Sequence, residues 1–228
     1  MNNSNNILQQ FSNHWISKHL LPNELDLLLE KTTTISYRKR ETIVKKGEFA
    51  THLVLLLNGF VKIEDDEGKK NFILDIVNGS NFVGLPLVLT SEKYMFSIVS
   101  LSDSDVVFIP MEIAKNILSN NPKFAFAFIE YGNNSFVMPL LDKLKSASHN
   151  NIRGRLAKLI LHLSIHTHQS RNFSLLISRF EIAQMIGFSR ENVIRMLTEF
   201  HSEGIIRING KSIELLDFSR LEDLAKYS

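Results

Sequence analysis

At 228 residues, 44% hydrophobic and 22% charged, the chain fits a soluble globular protein of one large or two small domains, either able to bury a core. No apolar run approaches the roughly 18 residues of a membrane span, the start Met1-Asn2-Asn3-Ser4-Asn5-Asn6 lacks the basic and apolar parts of a secretory signal, and the absence of cysteine excludes disulfides, thiolate metal sites and cysteine-held iron–sulfur clusters. A cytoplasmic protein is the expectation; the net charge is only +2, but residues 150–228 hold 11 basic against 8 acidic side chains, so the positive surplus belongs to the C-terminal third.

In chain order, Ile7, Leu8, Phe11 and Trp15 recur at helical spacing and predict a helix over 7–18. Pro22, favoured in a first turn, opens a second that runs to about Leu29. From 32 to 110 the texture changes to short runs of Ile, Val, Leu and Phe, broken at Lys46-Gly47, Asn58-Gly59, Glu67-Gly68 and Asn78-Gly79. Such steps supply the positive φ of tight turns, and the segment reads as a compact antiparallel barrel or roll. Val54-Leu55-Leu56-Leu57 is too continuous for a one-sided strand and implies cover on both faces.

Residues 111–120 read as a helix. After Pro122 a long helix extends to about 148, with Phe126, Ile129, Phe136, Val137, Leu140 and Leu144 three or four residues apart. Asn133 falls on this seam, where a polar residue can fix the register of paired helices, and Pro139 should bend the helix. The seam either packs on the roll or pairs with a second copy; a helix of this length needs a partner for its second apolar face, which favours a homodimer. The polar stretch Ser146-Ala147-Ser148-His149-Asn150-Asn151 is the best domain boundary. Beyond it come a helix over 152–163, a loop at 169–172, two further helices and a hairpin.

The C-terminal region carries the chemistry. Ser178-Arg179-Phe180-Glu181 is a capping box opening a helix with Ile182, Ala183 and Ile186 inward. Gly187 suits a left-handed cap, Phe188 fills the turn and Ser189 caps the next helix, which is the layout of a helix-turn-helix unit. On that second helix Val193, Met196, Leu197 and Phe200 share one side; Arg190, Glu191, Ile194, Arg195 and Thr198 share the other. Arginine can pair with guanine O6 and N7, glutamate with cytosine N4, and an apolar side chain such as Ile194 with a thymine methyl. These residues crowd the N-terminal half of the helix, the part that enters the major groove in such units. The hairpin Ile205-Ile206-Arg207-Ile208, Asn209-Gly210, Lys211-Ser212-Ile213-Glu214-Leu215 adds a wing whose Arg207 and Lys211 can reach phosphates. A charged helix beside an ordinary hairpin is the bland alternative; box, glycine turn, polar outer face and basic wing in succession favour DNA binding.

This order of β-roll, long helix and winged helix-turn-helix resembles the Crp/Fnr family of bacterial regulators over almost the whole chain. The matching segments are Ile43-Val44-Lys45-Lys46-Gly47-Glu48, Leu57-Asn58-Gly59-Phe60-Val61-Lys62, Gly154-Arg155-Leu156-Ala157 and residues 182–193. The resemblance implies an α+β chain: an antiparallel roll like a cyclic-nucleotide-binding domain over 1–121, a dimerisation helix over 122–149 and a winged helix-turn-helix domain over 150–228. It implies a dimer on a double-stranded pseudo-palindrome with half-sites roughly 34 Å apart, with Arg179 on a phosphate and a loop near 168–173 loosely matching a region that meets RNA polymerase in relatives. The groove-reading pattern, Arg190 and Glu191 with Arg195 beyond, resembles the catabolite-activator branch; Ile194 stands where the oxygen-sensing branch has serine.

The sensor half departs from the family pattern. By resemblance, cyclic-AMP-binding members carry Gly-Glu and a later arginine; here Gly84 precedes Leu85, Tyr94 stands at the arginine position, and Leu140-Leu141 replace Thr-Ser on the long helix. Burying a phosphate without a cation leaves its charge uncompensated at a cost of several kcal/mol, so a response to cyclic AMP is not expected. Gly84, Leu85, Leu87, Tyr94, Phe96, Leu140 and Leu141 form either an apolar effector pocket or, more in keeping with such clusters, a filled core. Haem sensing would need an axial ligand, for which His14, His19 and His52 are candidates, but lone histidines are more often structural. His162, His166 and His168 lack a carboxylate partner for a metal, so neither metal nor cofactor is expected. A cupin-like enzyme would need clustered histidines, and 32–110 holds only His52.

Overall fold

The computed structural model describes residues 14–67, 70–147 and 151–227, which form two compact units, one of residues up to 70 with 74–139, the other of residues 71–73 with 140–228. The helix expected over 7–18 lies mostly outside the described residues; what is described of it is a 3-10 turn, Trp15–His19. Helix α1 (Pro22–Lys31) begins on its proline, with Glu24 closing the first turn through a 2.8 Å bond from the Leu21 amide.

The roll comprises β1 (Thr33–Tyr37), β2 (Thr42–Val44), β3 (His52–Asn58), β4 (Phe60–Glu67), β5 (Lys70–Asn78), β6 (Asn81–Val83), β7 (Ser97–Ser100) and β8 (Ser104–Pro110). They make two four-stranded sheets, in the orders β1-β8-β3-β6 and β2-β7-β4-β5. Alternate residues of a strand face opposite sides, so the burial of Leu53 through Leu57 without a break requires cover on both faces of β3. Its outer face is covered by α2 (Leu85–Thr90) and α3 (Met111–Asn120), while Leu56, Val61, Phe96, Ile98 and Val106 fill the interior.

Two details differ from the sequence expectation. Residues 85–90 are helical, not strand: Gly84 enters with φ +69° and Pro86 presets the first turn, which an apolar composition alone does not reveal. At 78–80 the positive φ belongs to Ser80, at +65°; Gly79 is required instead for close approach, because a Cβ there would stand 2.6 Å from the Leu57 carbonyl oxygen. Lys46-Gly47 and Asn58-Gly59 do use glycine at positive φ.

After α4 (Pro122–Gly132) comes a π-helical turn, Asn133–Val137, and then α5 (Met138–Ala147). Pro139 has no amide to donate and its ring crowds the preceding turn; the wider turn, closed by Met138 N–H on the Asn133 carbonyl, stands directly before it and makes room for it. Residues 148–150 are not described, so the domain boundary expected over 146–151 falls partly outside the described residues.

In the second unit α6 (Ile152–His162) is capped by Asn151 and leads through a π turn, Leu163–Thr167, to the short strand β9 (Asn172–Ser174). Then follow α7 (Arg179–Ile186), α8 (Arg190–Ser202), β10 (Ile206–Asn209), β11 (Ser212–Leu215) and α9 (Phe218–Tyr227). Strand β9 extends the wing to a sheet of order β10-β11-β9, and α9 packs on α6 with Leu221 and Ala225 buried.

His14 is a buried histidine tied into the roll. Its Nε2 donates to the Ser80 carbonyl at 3.0 Å and its Nδ1 accepts from the Ile16 amide at 3.4 Å, so both nitrogens are engaged and neither is open as a haem ligand. Burial pushes its pKa below the ordinary 6.5, outweighing the hydrogen bond to Ser80 that raises it. The folded ring is therefore neutral where the unfolded chain binds a proton, and its contribution is fully present above about 6.5 and lost as pH falls toward the depressed folded value. Trp15, the sole tryptophan, stacks on Tyr131 at 4.7 Å and reports this unit. We expect urea unfolding followed by Trp15 fluorescence to weaken between pH 7.5 and 5.5, by at most about 1.4 kcal/mol per pH unit for one site, and His14→Gln to flatten that dependence. An unchanged slope in the variant would place the acid sensitivity elsewhere.

Candidate nucleic-acid interface

The second unit is built around a two-sided helix. Ser178 Oγ accepts from the Glu181 amide at 3.2 Å and Glu181 Oε2 accepts from the Ser178 amide at 2.8 Å, the reciprocal capping box that starts α7. The helix stops at Gly187, in the left-handed region at φ +73°, where a larger residue would be strained. Ser189 Oγ then accepts from the Asn192 amide at 3.2 Å and starts α8. Val193, Met196, Leu197 and Phe200 are buried against the rest of the unit, and Arg190, Glu191, Ile194, Arg195 and Thr198 are all exposed. This leaves a two-turn polar face with a single exposed aliphatic residue.

The turn between the two helices is held from outside. Arg155 Nη1 donates to the Ile186 carbonyl at 3.0 Å, satisfying an end-of-helix acceptor, and its guanidinium lies 5.4 Å from the Phe188 ring centroid. Sequence reasoning matched Gly154-Arg155 as a motif without giving Arg155 this task. An arginine three positions after the first helix residue carries no local sign of a partner 31 residues ahead.

The wing residues are more engaged than composition suggested. Arg207 pairs with Glu214 directly across the hairpin at 2.6 Å, so a phosphate would have to compete with that carboxylate. Arg179 Nη2 donates to the Gly210 carbonyl at 3.0 Å, tying the start of α7 to the wing turn, and burial holds its pKa below the ordinary arginine value. Lys211 is exposed beside that turn. His168 stacks on Phe173 at 4.7 Å, which anchors the 168–173 loop to β9.

A second network was invisible in sequence. Arg153 Nη2 meets Glu203 Oε2 at 2.8 Å and Oε1 at 2.9 Å, its Nη1 reaches Glu199 Oε2 at 3.3 Å, and Arg220 also meets Glu203 at 2.9 Å. The Arg153 hydrogen bond is the main reason the Glu203 carboxyl is held below its ordinary pKa. Glu199 on α8 and Glu203 at its C-terminal cap stand one turn apart, a visible signal, but their partners come from other elements.

In the roll, Leu85, Tyr94 and Phe96 are all buried and Gly84 lies directly under an aromatic ring: a Cβ at Gly84 would stand 1.9 Å from Phe96 Cζ. Tyr94 Oη donates to the His52 carbonyl at 2.7 Å. None of these residues lines the apolar cavity bounded by Ile16, Leu28, Leu53, Ile117, Phe124 and Phe128. Leu140 and Leu141, grouped with them in the sequence reading, are instead 44% and 43% exposed and so do not share their burial. For Leu87 only the helical backbone is described. Along the long-helix segments Phe126 and Ile129 are 70% and 61% exposed and Leu144 is 61% exposed; Phe136 is half-buried, and Asn133 is exposed within the π turn. Among the described residues no group of three or more His, Asp or Glu side chains is placed to hold a metal ion, and no helix is long and apolar enough to cross a membrane.

An antiparallel roll with a separate winged helix-turn-helix unit defines a class, and comparison with known proteins gives it a family. The family description "Cyclic nucleotide-binding domain" matches residues 34–121, and "Crp-like helix-turn-helix domain" matches 154–224. The chain is 23% identical over 218 residues to the CRP-like cAMP-activated global transcriptional regulator of Mycobacterium tuberculosis, covering 90% of this chain and 93% of that protein. Its fold is similar to FixK2 of Bradyrhizobium japonicum, with a TM-score of 0.76 at 19% identity over 86% of this chain and 98% of that one. It is also similar to a Crp/Fnr-family regulator of Eubacterium rectale, with a TM-score of 0.70 at 22% identity over 92% and 97%. The chain belongs to the Crp/Fnr family of transcription regulators.

Proposed function

We propose that this chain works as a homodimer on pseudo-palindromic double-stranded DNA, in the cytoplasm, and that its roll does not answer to cyclic AMP. The observation that carries the DNA reading is the exposed face of α8, where Arg190, Glu191 and Arg195 stand at the N-terminal half of a helix whose other face is core. Arg179 and Lys211 are proposed to meet flanking phosphates, with Arg207 joining when Glu214 yields. The exposed apolar residues Phe126, Ile129, Leu140 and Leu144 are proposed as the seam for the second copy.

The sensor reading rests on Phe96. Its ring covers Gly84 in a cluster with Leu85 and Tyr94 that contributes no cation, and an enclosed phosphate there would lack a counter-charge. This favours a filled core over a pocket for an apolar effector. The relatives named cAMP-activated differ from this chain on that reading.

One experiment tests both parts. Selection from random-sequence duplexes by the purified protein, with and without cyclic AMP, is expected to enrich the same two-fold symmetric site in both arms. Enrichment only with the nucleotide would sink the sensor reading, and no enrichment in either arm would sink the DNA reading.

A further inference from the structure

The groove-facing arginine Arg195 sits at the end of a chain of alternating charges that leaves α8. Its Nη1 is 3.6 Å from Glu199 Oε1, one helical turn on, and its Nη2 is 3.5 Å from Asn192 Oδ1, one turn back. Glu199 turns its other oxygen, Oε2, to Arg153 Nη1 at 3.3 Å, and Arg153 in turn grips Glu203. We propose that Glu199 is a positioning residue for Arg195: it sets the direction of the guanidinium before DNA arrives, and Arg153 fixes Glu199 so that it can. This rests on Arg195 reading a base.

An exposed pair four residues apart on a helix ordinarily contributes almost nothing, because both long side chains must be ordered to make it. The difference here is that Glu199 is ordered from behind. Arg153 is only 25% exposed, makes bonds to both oxygens of Glu203, and lies with its guanidinium 5.2 Å from the Phe200 ring centroid. The carboxylate is thus anchored at one oxygen and presents the other to Arg195, which is 65% exposed and would otherwise sample many rotamers. A guanidinium must present two parallel N–H groups to guanine, so a supporting carboxylate that restricts its rotamers raises specificity more than affinity. Asn192 completes the restraint from the opposite side. A bare carboxylate near the DNA would instead repel phosphates on every sequence alike, and this is the alternative to be separated.

The test is competition binding by the full chain to duplexes varied one base pair at a time, using wild type, Glu199→Gln, Glu199→Asp, Arg195→Ala and the double variant R195A/E199Q. Glu199→Gln is expected to lower discrimination roughly three- to tenfold at the base pair that Arg195→Ala identifies, and to leave other positions unchanged. Glu199→Asp keeps the charge but shortens the reach, and is expected to behave like Glu199→Gln. In the Arg195→Ala background, Glu199→Gln is expected to add nothing. Uniformly tighter binding by Glu199→Gln on all sequences, wild-type behaviour of Glu199→Asp, or a base-specific loss that persists without Arg195 would each overturn the inference. If Arg195→Ala itself changes no base preference, the reading of Arg195 falls and this inference with it.

Discussion

Replacing Arg190 or Arg195 with alanine is expected to remove about 1–3 kcal/mol of discrimination between the preferred site and its single-base variants, roughly five- to 150-fold. The expectation follows from where the two side chains sit. Ser189 caps α8 through its bond with the Asn192 amide, which sets the first turn and so the direction in which Arg190, Glu191 and Arg195 project. All three are exposed, and Val193, Met196, Leu197 and Phe200 behind them are buried, so the helix has one orientation in the unit and cannot roll to offer another face. Truncating an exposed arginine removes no core contact; thermal unfolding of either variant should therefore match wild type, which separates lost recognition from lost fold. Lys211→Ala is the internal control. A phosphate contact carries no base information, so that variant should weaken binding about equally on specific and random DNA and reduce the salt slope by about one. Titrations at several salt concentrations on specific and random duplexes measure both quantities. Uniform weakening by Arg190→Ala and Arg195→Ala would refute base reading and return them to the class of phosphate contacts.

How much of this was legible beforehand depends on the range over which a signal acts. Caps and turns act within four residues. Ser178 with Glu181, Gly187, Ser189, and Asn209 with Gly210 therefore marked the helix-turn-helix and its wing at the right residues, and the faces of α8 followed from 3.6-residue spacing. Three-residue strands act through partners elsewhere: β9 exists because Phe173 pairs with Ile213 of β11, and nothing within 169–174 announces it. The final helix, α9, did carry a readable pattern in Phe218, Leu221, Leu224 and Ala225, with Leu221 and Ala225 on its buried face. Least legible was the charge chain of Arg153, Glu199, Glu203 and Arg220, whose members lie on three helices and the C-terminal cap of one of them and meet only after the unit has folded. In the roll, the departures at Leu85 and Tyr94 were apparent as missing charges, but the aromatic ring over Gly84 is a packing result that spacing could not foretell.

Glutamate at Ile129, alone or with Phe126→Glu, is expected to convert the protein to a monomer and to weaken binding to a full two-fold site by roughly 10²–10⁴-fold. Both side chains project from α4 with most of their surface in contact with solvent, 61% and 70% exposed, while Phe124 and Phe128 of the same helix are buried in the roll. That contrast separates two duties on one helix. Phe124 and Phe128 pack inward with Ile16, Leu28 and Ile117, so the inner face already has its partner, and among the described residues Phe126 and Ile129 are left mostly uncovered. An added carboxylate on an exposed position costs the single chain little, but in a closed apolar seam it would be buried unpaired and its twin would face it across the two-fold axis. The large loss on DNA arises because a dimer that has bound one half-site presents the other at a high effective concentration, an advantage a monomer lacks. Sedimentation measurements should show the change in mass, and binding to an isolated half-site should stay within a few-fold of the wild-type value. A variant that still sediments as a dimer would remove this face from the interface, and one that becomes monomeric yet keeps full-site affinity would show that the two half-sites are not read together.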